Sequence, residues 1–476
     1  MADELTPSGK TLDVRRFAKL PRDADGRQPR MNSFATIGDR SFVVTDGAVD
    51  GQGEIYELVT DGAGRSSARL FFDVAASVFE NTGLVVANSS PLFGVRSVAF
   101  HPDFDANGKL YVAYTGERPE ISAGFNYLSD PEDPVPVDNV LAEWTIDLAT
   151  GVVLSDSYRE LFRVGMIEPD HPIQNMTFNP YAAVGDSDYG LLYIGHGDGS
   201  VQSAIVGDGQ NNDALGKILR IDPLPTSSDQ YSIPGDNPFL GDASFPDEVY
   251  ALGFRNPHNL TFAQSSDGVA HLIVTDIGRD NVEEINLVVK GGNYGWADRE
   301  GVFVHIGEQG FINGVEPLPS DEANNGYVYP VSFLGHEGVP GESFVGQAII
   351  GGHVIANGSS ALDGQFILAE FVTDGQMLDQ VTTLDASDPD RASPDDLSWL
   401  TPQELTILFD HDDDPETLPL VRSSLKDVLD DEPDFATVLS AGKTRADLRF
   451  GQGPDGELYI LNKRNGWVYI ATNTEA

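Results

Sequence analysis

The 476-residue chain carries 75 acidic against 29 basic residues, a formal net charge of −46, and a field of that sign repels nucleic acid and anionic membranes. No apolar run reaches the roughly 18 residues that membrane insertion needs, and with no cysteine neither disulfides nor thiol chemistry enter. Hydrophobic content of 40%, with 50 Gly and 29 Pro, fits a large core built from short strands and many turns.

In chain order, the stretch "ADELTPSGKTLDV" shows no signal peptide. Six phrases then recur: "DRSFVVTDG" (39–47), "GKLYVAYTG" (108–116), "GLLYIGHGDG" (190–199), "VAHLIVTDIG" (269–278), "GQFILAEF" (364–371) and "GELYILNK" (456–463). Each has a turn residue, a run of β-formers and a small or polar exit. Further strands are expected at Val140–Ile146, Ile218–Ile221 and Val249–Gly253. Copies at this period predict an all-β chain: a single six-bladed β-propeller of four-stranded antiparallel blades over residues 1–476. The segment 380–435 breaks the pattern. Ser393 is a candidate helix N-cap there, and the segment is expected to be a partly helical acidic insertion before the last blade. Within it "HDDDPE" (411–416) lacks the spaced acids of a calcium loop and reads as a solvated turn.

Candidate chemistry gathers at strand exits. His171 precedes a strand in "EPDHPIQNMTF", a place where a lone His is structural more often than catalytic. His196 and Asp198 sit at the exit of "YIGHGDG", where a carboxylate can hold an imidazole in one tautomer as a general base. "GFRNPHNLTF" offers Arg255 and Asn256, suited to an oxyanion or a quinone oxygen. "DIGRDNVEE" supplies Asp276, Asp280, Glu283 and Glu284 around Gly278, oxygen ligands that a hard cation such as calcium takes. "EEINLVVKGGNYGW" (283–296) places a tight Gly291-Gly292 turn between two acids and two aromatics, as a packed hairpin or as a metal-holding turn. Near the C-terminal end lie Lys443, Arg445, Arg449, Lys463 and Arg464. They are ion-paired to acidic neighbours or form an anion-binding patch.

Four phrases taken in order, "GVRSVAFHPDFDANGKLYVAYTG", "DALGKILRIDP", "EVYALGFRNPHNLTF" and "EEINLVVKGGNYGW", resemble the soluble pyrroloquinoline-quinone (PQQ) sugar dehydrogenases, the glucose/sorbosone dehydrogenase family. The resemblance implies a six-bladed propeller with PQQ and Ca2+ as cofactors. It also implies His171 as catalytic base with Asp198 as its partner, and Arg255 and Asn256 on the quinone oxygens. Calcium would lie against the carbonyls of Gly278 and Arg279, with a second calcium at Glu284 and Tyr294. The sequence departs from the pattern where the family has a Gln before "GLLG": Leu92 stands there, and "LLG" reads Val95-Arg96-Ser97. The Gln before the calcium-binding Gly is Ile277. The family's Trp-x-Thr stretch and cofactor-holding Lys have no counterpart, and Arg279, Arg445 and Arg449 are candidate replacements. The implied activity is oxidation of a sugar or other polyol, with electrons passed to an external acceptor, in the periplasm or outside the cell. The alternatives are a cofactor-free, metal-dependent carbohydrate lyase, dehydratase or hydrolase, and a non-catalytic propeller that binds a glycan or protein.

Overall fold

The structure, a computed structural model, describes residues 7–47, 53–88, 92–119, 137–166, 170–200, 214–265, 268–306, 314–336, 339, 348–355, 362, 364–370, 377–381, 402–410, 418–422, 424–430 and 447–473. These are mostly β. The first four-stranded set runs Met31–Ile37, Arg40–Thr45, Glu54–Thr60 and Ser66–Asp73. The second is Val95–Phe100, Lys109–Glu117, Val137–Asp147 and Arg159–Gly165, with a short fifth strand, Val152–Val153, on its third. Ile173–Phe178, Leu192–His196, Lys217–Ile221 and Val249–Leu252 make the third. Pro257–Gln264, Ala270–Asp276, Val282–Val288 and Ser332–Gly335 make the fourth.

The remaining two sets share one sheet. Ile349–Val354, Gln365–Glu370, Met377–Val381 and Gln403–Asp410 are followed by Pro7–Lys19, Trp467–Asn473, Leu458–Asn462 and Leu448–Gln452. Pro7–Lys19 runs antiparallel to Trp467–Asn473 and parallel to Gln403–Asp410. The pairing is therefore not purely antiparallel, as expected from the sequence, but contains one parallel seam. A separate three-stranded sheet, Arg299–Glu300, Phe303–His305 and Val315–Pro317, also lies outside the four-strand plan.

Each of the six recurring phrases lands on the second strand of its set. Alternate residues of these strands point to opposite faces, and both faces are buried. Phe42 and Val44 pack toward the second set with Val98, Val112 and Trp144. Val43 packs on the other side with Tyr459, Leu461 and Ile470 of the sixth. Corresponding apolar clusters lie between the second and third, third and fourth, fourth and fifth, and fifth and sixth sets. Each fully buried Leu, Ile, Val or Phe contributes about 1.5–3 kcal/mol, so cohesion resides between neighbouring sheets. The first strands also meet in order: Met31–Ile37 on Val95–Phe100, on through the first strands of sets three to five to Leu448–Gln452, and back to Met31–Ile37.

Part of the 380–435 segment departs from expectation. Gln403–Asp410, inside the segment expected to be a partly helical insertion, is a strand whose Leu405, Ile407 and Phe409 are fully buried. Leu420–Arg422 is a strand paired to it, and Leu425–Asp430 is helical. Ser393 and "HDDDPE" lie outside the described residues. A helix that the repeat pattern did not announce, Val74–Thr82, is capped by the Asp73 side chain on the Ala76 N–H.

Four of the first strands carry a β-bulge at the same place. Pairing skips one residue between Met31 and Ser33, Val95 and Ser97, Ile173 and Asn175, and Pro257 and Asn259. The bulged residues are Asn32, Arg96, Gln174 and His258. A bulge re-aims the side chain it carries, and these strands begin at the end of the ring where the candidate site lies.

Candidate active site

His171 stands just before the first strand of the third set, in left-handed backbone with φ 51°. Its Nδ1 lies 2.6 Å from Asp198 Oδ1, and Asp198 Oδ2 accepts from Trp296 Nε1 at 2.9 Å. The Ser200 N–H also donates to Asp198 Oδ1, at 2.8 Å. With Nδ1–H given to the carboxylate, His171 Nε2 is left as the basic nitrogen, 3.5 Å from Asp170 Oδ2. Asp198 is fully buried. Burial alone would raise its carboxyl, but the hydrogen bond and charge of His171, with Arg255 nearby, hold it below the usual carboxylate range. The stability this lowered group contributes is present above its unfolded pKa and lost as pH falls through the folded value.

The spacing-based pairing of His196 with Asp198 is not what forms. His196 turns to Asn139 Nδ2 at 2.9 Å and to the Gly197 carbonyl at 2.7 Å. Gly197 lets the segments close up: a Cβ there would lie 2.6 Å from His171 Cβ and 3.1 Å from the Arg255 carbonyl. That closeness allows the Asp198 N–H to donate to Arg255 O at 2.7 Å, which ties the His171 loop to the fourth set.

Arg255 and Asn256 lead into the fourth set. Their N–H groups donate to the two oxygens of Asp276 at 2.9 and 2.6 Å. Arg255 Nη1 donates to the carbonyls of Ile277 and Gly278 at 3.0 and 2.7 Å, and its guanidinium lies 5.7 Å from the centre of the Trp296 ring. Asn256 is buried, and its Oδ1 has no hydrogen-bond partner among the described residues. His171, Asp198, Trp296, Arg255 and Asn256 therefore form one constellation.

The glycine turn at 291–292 now has a role. Gly291 N–H and Leu252 N–H form backbone hydrogen bonds across to Tyr250 O and Gly292 O, and Trp296 N–H donates to Gly253 O. The turn runs along the outer strand of the third set and delivers Trp296 to Asp198. Tyr294 donates its hydroxyl to Leu287 O at 2.6 Å and accepts the Val289 N–H at 2.9 Å.

The residues expected around calcium are spread over separate partners. Gly278 O accepts from Arg255, and the Arg279 N–H donates to Glu300. Glu284 accepts from Gly301 N–H at 2.6 Å and Asn286 Nδ2 at 3.0 Å. Among the described residues no three His, Asp or Glu side chains converge to hold a metal. Buried carboxylates are nonetheless dense here: Asp276, Glu283, Glu284 and Glu300 are all under one-tenth exposed. Burial and neighbouring acids push the Glu284 carboxyl up to about 7. Arg449 is buried on Leu448–Gln452, and Arg445 lies outside the described residues.

Sequence reasoning missed Trp296, read as packing, and Glu300. One Glu300 oxygen accepts the N–H groups of Arg279, Asp280, Asn281 and Val282 at 2.8, 3.3, 3.0 and 3.1 Å. This carboxylate fixes the loop whose carbonyls hold Arg255. A buried donor left unpaired costs about 1–3 kcal/mol, and two of the four, on Asn281 and Val282, are buried. Glu300→Ala is thus expected to lower stability by about 2–6 kcal/mol, with Glu300→Gln losing less. Denaturant unfolding of the two variants checks this.

The family described as glucose/sorbosone dehydrogenase matches residues 74–309. By fold the chain is of the propeller-like, all-β class: it superposes on the soluble aldose sugar dehydrogenase of Escherichia coli with TM-score 0.58 at 16% identity, over 98% of this chain and all of that one. The PQQ-bound aldose sugar dehydrogenase of Streptomyces coelicolor gives 0.51 at 16% identity, covering 98% of each. In sequence the chain is 30% identical to the HIPL1 protein of Arabidopsis thaliana over 241 residues, 44% of this chain and 33% of that protein. It is 27% identical over 217 residues to quinoprotein glucose dehydrogenase B of Acinetobacter calcoaceticus, 44% of this chain and 40% of that protein. The chain thus spans between a third and two-fifths of the length of these relatives. The similarity to the glucose/sorbosone dehydrogenase family thus lies in residues 74–309 of this chain.

Proposed function

We propose that this chain is a six-bladed quinoprotein dehydrogenase that oxidises a hydroxyl of a sugar or other polyol. The observation that carries the reading is the His171–Asp198–Trp296 chain of hydrogen bonds facing Arg255 and Asn256. In this reading the six four-stranded sets are the blades, and the site sits at the mouth where their first strands begin. The residues fit a quinone: among the described residues, buried Asn256 Oδ1 has no hydrogen-bond partner and Arg255 meets protein carbonyls only through Nη1. PQQ, when bound, supplies the hydride acceptor. His171 Nε2 takes the substrate hydroxyl proton, while Asp198 keeps the ring in the Nδ1–H tautomer and stabilises its charged form. Trp296 fixes Asp198, and Arg255 orients and polarises an oxygen presented to its outer edge.

Calcium belongs to the same proposal, through the backbone oxygens of Gly278 and Arg279 and at Glu284 and Tyr294. The crowding of buried carboxylates at Asp276 and Glu284 supports a cation nearby. The excess of acidic residues fits the proposed periplasmic or extracellular setting, with an external acceptor taking the electrons. Titration with PQQ, with and without calcium, is expected to give saturable micromolar binding, followed by absorbance and by a rise in melting temperature. Dye-linked oxidation of aldoses should follow. Absence of quinone binding in both series would overturn the dehydrogenase reading, and a melting shift with calcium alone would favour the metal-dependent lyase or the binding propeller.

A further inference from the structure

Arg96 is 2% exposed, yet among the described residues its hydrogen bonds go to the neutral Gln174 side chain and, at 3.5 Å, to the Phe93 carbonyl, and its Nε has no partner there. It stands where the resembled family carries a leucine, on the bulge of the second set's first strand. The bulge is one of four at matching positions, and two of the bulged side chains reach the next bulge. Asn32 Nδ2 donates to Arg96 O at 2.7 Å, and Arg96 reaches Gln174. A buried guanidinium without a carboxylate in contact is costly unless something anionic comes to it.

Further cations lie within electrostatic reach of it. Arg30 and Lys463 both contact Asp46, at 3.2 and 2.8 Å. Arg449, on the first strand of the sixth set, is 7% exposed. The positive charges repel one another: burial first, then Arg96 among the neighbouring charges, brings Arg449 down to about 9. Burial brings Arg96 down to about 10, with attraction to Asp46 offset in part by repulsion from Arg30. The carboxylates that reach into this group are Asp46, Asp447 and Asp170, the last being the residue before His171. The His258 ring lies within electrostatic reach of Arg449, Arg96, Lys463 and His171, in falling order. Concentrating buried positive charge at one place is unexpected in a chain of net charge −46.

We propose that Arg96 and Arg449 form a carboxylate-binding site beside His171, completed by a ligand anion. This rests on the reading above only in taking this mouth as the ligand-binding end. A carboxylate accepts from a guanidinium through two oxygens, so the unpaired Nε and its neighbour on Arg96 match one carboxylate edge. The same chemistry has two sources: a carboxylate of the quinone cofactor, or that of an acidic sugar bound as substrate.

The test is thermal unfolding of the full chain and of Arg96→Leu with citrate, glucuronate or PQQ, each against sodium chloride at matched ionic strength. Arg96→Leu removes a buried charge and restores an apolar residue, so it is expected to fold, and Arg96→Gln provides a second variant. The parent protein should show a saturable rise in melting temperature with a carboxylate. Apparent affinity should fall by about tenfold or more in both variants, the effect of losing a charge-assisted hydrogen bond. PQQ binding that weakens in the variants identifies the cofactor as the source. A glucuronate shift that weakens, with no PQQ binding in any protein, supports the site and identifies an acidic sugar, while the dehydrogenase reading fails. PQQ and carboxylate binding unchanged by both substitutions would overturn the site and leave the dehydrogenase reading standing. Absence of any carboxylate shift in the parent protein would also overturn it.

Discussion

Replacing His171 with Ala is expected to lower kcat for sugar oxidation by roughly 10²–10⁴-fold, the range over which a positioned general base acts. The hydrogen bond from Nδ1 to Asp198 leaves Nε2 as the only ring nitrogen able to take a substrate proton. Binding should survive, because Arg255 and Asn256 are held by Asp276 independently of the imidazole. The PQQ-induced melting shift of the variant should therefore match that of the parent. Asp198→Asn should also lose kcat, since an amide in that place no longer stabilises the protonated ring. Steady-state kinetics with an artificial dye acceptor decides: an unchanged kcat in His171→Ala would remove this residue from the reaction.

Removing Pro7–Lys19 is expected to abolish the cooperative unfolding transition of the chain. That strand fills the seam between Gln403–Asp410 and Trp467–Asn473, hydrogen-bonded on both edges. Its Leu12 and Val14 are at most 1% exposed, inside the cluster that joins the fifth and sixth sets. Losing both ladders and about 1.5–3 kcal/mol for each buried side chain takes away a large share of a typical folding stability of about 5–15 kcal/mol. The milder Leu12→Ala, at about 2–5 kcal/mol, grades the same effect without deleting the strand. Near-UV circular dichroism during melting is the measurement, and a truncated chain that melts like the parent would show the seam to be dispensable.

The second strands were legible because each is a compact run of β-formers between turn residues, and such runs announce themselves locally. Gln403–Asp410 was not, since Ser393 offered a helix N-cap upstream and the segment read as a partly helical acidic insertion. Yet Leu405, Ile407 and Phe409 alternate as a strand requires. The seam itself has no local signature: nothing in "TLDVRRFAK" names two partners at the far end of the sequence. At the site, resemblance linked His171 to Asp198, whereas spacing favoured His196, which the neighbouring sheet captures through Asn139. Trp296 and Glu300 act through contacts with distant segments, so composition and spacing had no means of marking them.

The seam also fixes an order of events. Pro7–Lys19 precedes every other described strand in this sequence, while the two strands that flank it lie late in the described order. Closing so long a loop is a slow, entropically costly step, so Pro7–Lys19 waits for partners far along the sequence. During that wait it and Gln403–Asp410 each expose an unpaired edge to any passing chain, the condition under which β proteins aggregate or swap strands.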